Sequence, residues 1–205
     1  MPRLGRPAAA NAQETRQRIL DSARKLFADK GYDGTSNRAL ADAVGLTTGS
    51  LYHYFDRKLD LYLEVYEDTQ RHVYDNLEAA TAGEDTFIDS LRGVLEAAHG
   101  LNNDDPSLAQ FLGSCRVDVQ RHGELGEVFA TLDHTRQNDF FAGLVRLGVK
   151  TGELDAGDGA RTAALLRTVT IGLVDGVSSS QARHREAVDG IIQLFEGKLV
   201  RPPAT

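Results

Sequence analysis

The side chains best suited to chemistry lie between Gly45 and Lys58, where hydroxyl, imidazole and aromatic groups follow a glycine. Such hydroxyls can bond phosphates or base edges, and threonine methyl groups and aromatic rings can contact thymine methyl groups. Gly49 lets the backbone approach a partner closely, and Lys58 joins the amides at a helix start to form a phosphate site. Arg38 could reach a base edge or a phosphate. This stretch therefore predicts insertion into the major groove of a DNA duplex.

Two short helices separated by a tight turn are needed to position these groups. Thr35 or Ser36 can cap a helix that ends at Gly45, and Thr47 can cap the next helix, which runs to Phe55. In this second helix Leu51 and Phe55 are four residues apart, so they share the face that packs on the core. A glycine in a turn of three to four residues is typical of a helix-turn-helix.

Each of these groups also has a purely structural interpretation. Thr47 can serve only as a helix cap, and His53 can simply be solvated. Tyr52 and Tyr54 can instead be core aromatics that brace the following helix. Arg3 and Arg6, in a flexible arm over residues 1–13, either enter the adjacent minor groove or belong to a disordered cationic tail.

Helical periodicity continues along the whole chain, and no segment alternates with a period of two. The sequence predicts an all-α protein of about nine helices. The charge divides the chain, since residues 1–60 contain ten Lys/Arg and seven Asp/Glu, whereas residues 61–205 contain thirteen and twenty-three. A basic head on an acidic body predicts two partners. We expect a DNA-binding domain over 14–60 and a helical effector-binding and dimerisation domain over 61–205.

Composition excludes several classes of protein. The six histidines are scattered without ligand spacing, Cys115 has no base near it in sequence, and no glycine-rich phosphate loop is present. We therefore expect no enzyme, cofactor or metal site. A single cysteine fits a reducing compartment. No apolar run reaches the roughly 18 residues of a membrane span, and no signal peptide is recognisable, so we expect a cytoplasmic protein with no membrane partner.

The run from Thr15 to Leu63 resembles the DNA-binding domain of TetR-type transcriptional regulators. The matching pieces are Leu26-Phe27, Gly31-Tyr32, Thr35-Ser36, Leu40-Ala41, Val44-Gly45-Leu46-Thr47, Gly49-Ser50-Leu51-Tyr52-His53-Tyr54-Phe55 and Lys58-Leu59. Val44 and Leu59 depart from the usual pattern. The resemblance implies a homodimeric repressor, less often an activator, that binds a near-palindromic operator and is released by a small molecule. It implies that Thr48, Gly49, Ser50, Tyr52 and His53 face bases or nearby phosphates and that Tyr54 and Lys58 hold the DNA backbone. Asn37 and Arg38 lie where family members vary and sometimes contact DNA. We count Arg38 and Thr47 among the candidate DNA-binding residues as well.

The C-terminal part offers two apolar patterns. Small and apolar residues on the last two helices predict a four-helix dimer interface, although both stripes can instead pack inside the monomer. This interface comprises Leu165, Val169, Gly172, Gly176, Val188, Ile192, Phe195 and Leu199. Aromatic residues on the middle helices can line a cavity for an apolar or amphipathic effector, or belong to the core. These residues are Phe111, Cys115, Phe129, Phe140 and Phe141.

A second function is compatible with the same head. The chain could be a DNA-bound protein-interaction factor without a small-molecule effector, with its body contacting another protein. The sequence specifies neither the operator nor the effector, and it leaves the sign of regulation open.

Overall fold

The computed structural model describes residues 8–177 and 180–199, and all regular structure in these ranges is helical. The all-α prediction is confirmed, with ten α-helices and one 3-10 turn rather than about nine helices. The α-helices are α1 (Ala8–Gly34), α2 (Asn37–Ala43), α3 (Thr48–Leu51), α4 (Lys58–Thr81), α5 (Phe87–Asp104), α6 (Ser107–Arg121), α7 (Gly123–Phe129), α8 (Thr135–Thr151), α9 (Gly159–Val177) and α10 (Gln181–Phe195).

The first helix begins earlier than the sequence predicts. Residues 8–13 were expected in a flexible arm, but α1 already begins at Ala8. Four of these six residues are alanine, the strongest helix former, which explains the longer helix. Arg3 and Arg6 lie outside the described residues, so their contact with a minor groove stays a prediction.

The chain forms two compact units that do not coincide with a boundary at residue 60. The first unit contains the described residues up to Gln70 together with Phe111–Glu127, and the second contains Arg71–Gln110 and the described residues from Val128 onward. Most of α6 therefore belongs to the same unit as the helix-turn-helix, although some 50 residues separate the two in the sequence.

The core of the first unit is a cluster of apolar side chains at helical spacing on α1 and α4. Ile19, Ala23 and Phe27 are each at most 1% exposed, because they recur on one face of α1. Tyr62 on α4 has no exposed surface, and its ring lies edge-on to Phe27 with the ring centroids 4.8 Å apart. This core is the base on which the short helices α2 and α3 rest.

The second unit is built from α5, α8, α9, α10 and the C-terminal part of α4. Its buried core includes Leu91, Leu144, Leu166 and Val188, one from each of the four whole helices. Thr86 caps α5 by accepting a hydrogen bond from the Asp89 amide at 3.2 Å. Among the described residues, no helix combines the length and the apolar character required to cross a membrane.

Candidate nucleic-acid interface

The turn between α2 and α3 depends on a glycine with a left-handed backbone. Gly45 has φ of +71°, a region that L side chains rarely adopt. Nothing lies within 4 Å of a Cβ built at this position, so the requirement for glycine is conformational rather than steric. The Leu46 amide then donates to the Ala41 carbonyl at 2.9 Å, which closes the end of α2. The turn expected from the sequence is present.

Helix α3 is held at its start by one side chain. The Thr47 hydroxyl oxygen accepts from the Ser50 amide at 3.0 Å and lies 2.8 Å from the Ser50 hydroxyl. The regular helix ends at Leu51, earlier than predicted, and turn-like hydrogen bonds carry the chain to Phe55. Leu51 and Phe55 are 3% and 5% exposed, as the clamp hypothesis requires. The orientation of α3 is therefore fixed by the Thr47 cap at its start and by the burial of Leu51 and Phe55 in the core.

The predicted DNA-binding residues all lie in the first unit, and none of them is fully buried. The exposed ones are Arg38, Thr47, Gly49, Tyr52 and His53, and the partly exposed ones are Thr48, Ser50, Tyr54 and Lys58. The Arg38 side chain is 88% exposed, and its Nε atom lies 3.7 Å from Oδ2 of Asp42. Two exposed side chains with different chemistry, Arg38 and Tyr52, are thus available to a duplex. Their contacts with DNA stay predictions.

A hydrogen bond between α2 and the end of α3 joins Tyr52 to Asn37, a position where members of the similar family sometimes contact DNA. The side-chain amide of Asn37 donates to the Tyr52 hydroxyl oxygen at 2.5 Å. Because this oxygen accepts, its own O–H hydrogen is left to point elsewhere. The two residues are fifteen positions apart on different helices, so no periodic pattern could have paired them.

Tyr54 is braced from the core side. Its backbone carbonyl accepts from the Arg16 guanidinium at 2.7 Å. Arg16 also forms an ion pair with Glu64 and lies 4.3 Å from the centre of the Phe55 ring. This contact ties the end of the α3 segment to α1 and α4, so the half-buried Tyr54 has a structural partner whether or not it contacts DNA.

Lys58 is engaged inside the protein. Its ammonium donates to the carbonyl oxygens of Tyr32 at 2.8 Å and Thr35 at 3.2 Å, and it lies 4.1 Å from the centre of the Tyr32 ring. The sequence assigned this group to a phosphate. In the structure its charge joins the end of α1 to the start of α4, which leaves one of its three N–H donors for any further acceptor.

Two of the predicted effector-binding residues belong to the core beneath the helix-turn-helix. Phe111 has no exposed surface, and its ring centroid lies 5.4 Å from that of Tyr62 and 6.4 Å from that of Phe27. Cys115 is buried as well, and burial raises the pKa of its thiol to about 12. In the first unit the apolar face of α6 packs on α1 and α4, and a role of these two residues in an effector cavity stays a prediction.

The other three candidates lie in the second unit. Phe129 and Phe141 are 8% and 5% exposed. Phe140 is half-buried and lines a cleft of about 460 Å³ together with Thr81, Ser90, Glu78, Arg136, Asp139, Gly143, Leu144 and Leu147. Within this lining, Arg136 donates to Glu78 at 2.8 Å, and it also donates to Asp75 at 2.7 Å. The Arg136 guanidinium holds the pKa of Glu78 below its usual range.

The predicted dimer residues divide into two groups. On α9, Leu165 is 46% exposed, Val169 is half-buried, and the exposed Gly172 has open space around it; Gly176 lies in the last turn. On α10, Val188 and Ile192 are 0% and 5% exposed because they pack in their own unit. These two residues have almost no surface to offer a second chain, which corrects the prediction at both positions. The half-buried Phe195 ring lies 6.1 Å from that of Phe87, and Leu199 is 53% exposed.

The histidines do not assemble a metal centre in the described ranges. No group of three or more His, Cys, Asp or Glu side chains there is arranged to hold an ion. One pair is close, since Nδ1 of His99 on α5 lies 3.0 Å from Nδ1 of the buried His184 on α10. In the first unit, Nε2 of His122 instead lies 3.0 Å from Oδ2 of Asp33.

Residues 19–65 match the sequence profile of a family described as bacterial regulatory proteins, tetR family. This range contains α2, the Gly45 turn, α3 and the first residues of α4. Among curated proteins, the HTH-type transcriptional regulator AcrR of Shigella flexneri is 40% identical over 70 residues, covering 34% of this chain and 33% of AcrR.

The HTH-type transcriptional repressor KstR2 of Rhodococcus jostii is 30% identical over 139 residues, covering 67% of this chain and 66% of KstR2. The chain thus spans less than two thirds of the length of either relative. Among solved structures, the transcriptional regulator FadR from Bacillus subtilis, in complex with stearoyl-CoA, matches with a TM-score of 0.72 at 17% identity. That match covers 90% of this chain and 99% of FadR and supports the shared fold. The related proteins are transcriptional regulators rather than enzymes, in agreement with the sequence analysis.

Proposed function

We propose that this chain, which belongs to the TetR family of bacterial regulatory proteins, is a homodimeric repressor that binds a near-palindromic operator and leaves it when a small molecule binds. The observation that carries the proposal is the exposed surface of α3. The four-residue helix and the turns that follow it present Tyr52 and His53 outward, while Leu51 and Phe55 anchor this segment to the core. This arrangement suits insertion into a major groove.

The exposed face of α9 supports a dimer. Leu165 and Ile171 are 46% and 43% exposed, and Gly172 lies next to them with no side chain to hold a partner away. Leu194 on α10 is 48% exposed. Large apolar side chains on the outer faces of two neighbouring helices are suited to a symmetric helical interface. Since Val188 and Ile192 are internal, we assign the α10 contribution to Leu194 instead.

The cleft beside Phe140 is the candidate effector site in the second unit. Its lining includes the apolar side chains of Leu144 and Leu147 and the charged side chains of Glu78, Arg136 and Asp139. A cavity of about 460 Å³ is in the size range of small-molecule sites. This lining fits an amphipathic molecule whose apolar part contacts Phe140. FadR, which shares the fold, was solved with the amphipathic molecule stearoyl-CoA.

Selection of duplexes from random DNA by the full-length protein tests the proposal. We expect the recovered sequences to share two inverted half-sites about one helical turn apart or somewhat more. Tyr52→Ala should abolish binding to the recovered duplex, whereas Val117→Ala, at an exposed position on α6, should leave it intact. Binding that saturates without any sequence preference would exclude an operator-specific regulator.

The effector is tested separately, with the selected duplex as the reporter. A screen of amphipathic compounds should yield one that releases the DNA from the wild-type protein but not from a Gly143→Leu variant, in which the cleft is filled. Absence of any releasing compound, with operator binding intact, would favour the alternative of a DNA-bound factor that responds to another protein.

A further inference from the structure

One face of α6 packs against the end of α1, next to the start of the helix-turn-helix. Phe111, Cys115, Asp118 and His122 follow one another at steps of three and four residues, so they share a face from α6 to the start of α7. Within the first unit, Phe111 contacts the rings of Phe27 and Tyr62, and the Ser114 hydroxyl donates to the Phe27 carbonyl at 3.3 Å. The two polar residues of this face, Asp118 and His122, come later in the sequence and contact the end of α1.

Asp118 is the buried carboxylate of this face, with 8% of its surface exposed. Its Oδ2 atom accepts two hydrogen bonds, from the Tyr32 backbone amide at 2.9 Å and from the Tyr62 hydroxyl at 2.9 Å. Burial and the nearby Cys115 thiol raise the pKa of Tyr62, which keeps the phenol protonated as a donor. A buried carboxylate requires such donors, because an unpaired charge in the interior is strongly unfavourable.

The amide that Asp118 accepts from follows a bend in α1. Gly31 has φ of +68° and ψ of −178°, so the helical path breaks there before continuing to Gly34. A Cβ at Gly31 would lie 3.2 Å from Oδ1 of Asp118. The carboxylate thus lies directly against the bent backbone and binds the first N–H beyond it.

The bend is connected to both helices that flank the DNA-binding surface. The Thr35 hydroxyl donates to the Gly31 carbonyl at 2.8 Å, one residue before Ser36 caps α2. On the other side, the Tyr32 carbonyl accepts from the Lys58 ammonium at the start of α4. Gly31 and Tyr32 are therefore linked by hydrogen bonds to the residue before the cap of α2 and to the first residue of α4.

From this geometry we infer that Asp118 is a positioning residue for DNA recognition: it fixes the bend at Gly31 and so holds α2 and α3 in the arrangement that binds the duplex. The inference rests on the proposed DNA-binding function. It assigns a part in operator binding to a side chain on α6 that is buried away from any duplex surface. The bend, rather than the core as a whole, is the element through which Asp118 acts.

The test compares the full-length wild-type protein with Asp118→Ala, Asp118→Asn and the control Gln120→Ala, an exposed position on the same helix. Asn keeps an oxygen that can accept the Tyr32 N–H, so it should retain affinity for the selected duplex within threefold. Ala removes the acceptor and should weaken that affinity at least tenfold. Hydrogen exchange of the segment around Tyr32 should accelerate at least tenfold in Asp118→Ala, while α9 and α10 keep wild-type protection.

Gly31→Ala is the second variant, and it perturbs the same bend from the opposite side through its positive φ and the contact with Asp118. It should also weaken duplex binding at least tenfold, and it decides the question if Asp118→Ala does not fold. Wild-type affinity in a folded Asp118→Ala or Gly31→Ala protein would overturn the inference. So would failure of both variants to fold, or failure of Asn to rescue binding. A wild-type protein without any preferred duplex would instead contradict the proposed function.

Discussion

The side-chain amide of Asn37 donates to the hydroxyl oxygen of Tyr52 at 2.5 Å, joining the first residue of α2 to the residue that follows α3. This bond orients the phenol, whose O–H hydrogen is then free to point toward a phosphate or a base acceptor. The proposed DNA-binding surface thus draws on two helices, with Asn37 contributing through Tyr52.

Removal of either partner should weaken operator binding without destabilising the fold. We expect Tyr52→Phe and Asn37→Ala each to raise the Kd about three- to tenfold, the equivalent of one hydrogen bond or about 0.5–1.5 kcal/mol. If Asn37 acts through Tyr52, adding Asn37→Ala to Tyr52→Phe changes the Kd little further. Fluorescence anisotropy on a labelled operator measures these values, with Asn138→Ala as an exposed asparagine control. Fully additive losses would contradict the coupling.

The cap of α3 should matter for both stability and binding. Thr47→Ala removes the acceptor for the Ser50 amide and should lower the free energy of unfolding by about 1 kcal/mol. Because α3 has only four residues, the same change should also weaken operator binding, whereas Thr47→Ser should preserve both. Urea unfolding and anisotropy on the same preparations measure the two effects. Equal behaviour of the Ala and Ser variants would show that the cap is dispensable.

Substitution of Lys58 should lower stability, whereas substitution of Arg38 should change the salt dependence of DNA binding. Lys58→Met removes two charge-assisted hydrogen bonds to carbonyls and should lower the free energy of unfolding by about 1–2 kcal/mol. Arg38→Ala should leave stability unchanged and reduce the slope of log K against log salt by about 0.9, the loss of one phosphate contact. Urea titrations and binding between 50 and 200 mM salt, roughly the range over which such slopes are measured, separate the two. A reduced salt slope in Lys58→Met at wild-type stability would restore Lys58 to the phosphate contacts.

If the proposed dimer forms, a single charged substitution in its interface should reduce the mass of the particle in solution. Leu165→Glu or Leu194→Glu places a carboxylate in the apolar interface and should convert the dimer to a monomer in sedimentation experiments. Val117→Glu is the matched control, because Val117 is 44% exposed but lies on α6. A dimer that persists in both variants and dissociates in the control would move the interface to α6.

The His99–His184 pair predicts that stability falls in mild acid. Burial and the neighbouring His99 lower the pKa of His184 below its ordinary value of 6.5. The folded state therefore takes up the proton less readily than the unfolded chain. The contribution of His184 to stability is complete above about pH 6.5 and is lost as the pH falls through its folded pKa.

Urea unfolding of the wild-type protein at about pH 7.5 and 5.5, on either side of the ordinary histidine pKa, measures this loss. In His184→Gln the difference between the two pH values should shrink, while in His134→Gln, at an exposed position, it should stay as in the wild-type protein. An unchanged difference in His184→Gln would assign the acid sensitivity to other groups.

Local signals in the sequence were sufficient for the helix-turn-helix. The structure contains the predicted caps at Ser36 and Thr47, the glycine turn at Gly45 and the buried pair Leu51 and Phe55. Each of these features depends on neighbours within four residues, which is why it could be recognised from the sequence. The end of α3 at Leu51 was missed, since the turns that continue to Phe55 keep nearly the same spacing of buried residues.

Long-range packing could not be predicted in the same way. Helical periodicity showed that Phe111 and Cys115 face something apolar, but it could not tell an effector cavity from the Phe27–Tyr62 core. The same ambiguity affected Val188 and Ile192, which pack within their own unit rather than against a second chain. The Asp118 contacts with Tyr32 and Tyr62 join positions 86 and 56 residues apart, beyond the reach of any pattern in a single sequence.

The placement of α6 against α1 and α4 also affects how far this DNA-binding module can be exchanged. A hybrid regulator that takes residues 14–60 from this chain would leave Phe27 without Phe111, and the bend at Gly31 without Asp118. The smallest transplant that keeps the packing contacts of the first unit extends to Gln70 and includes residues 111–127 as well. Recombination with a foreign body therefore requires two inserted segments rather than one.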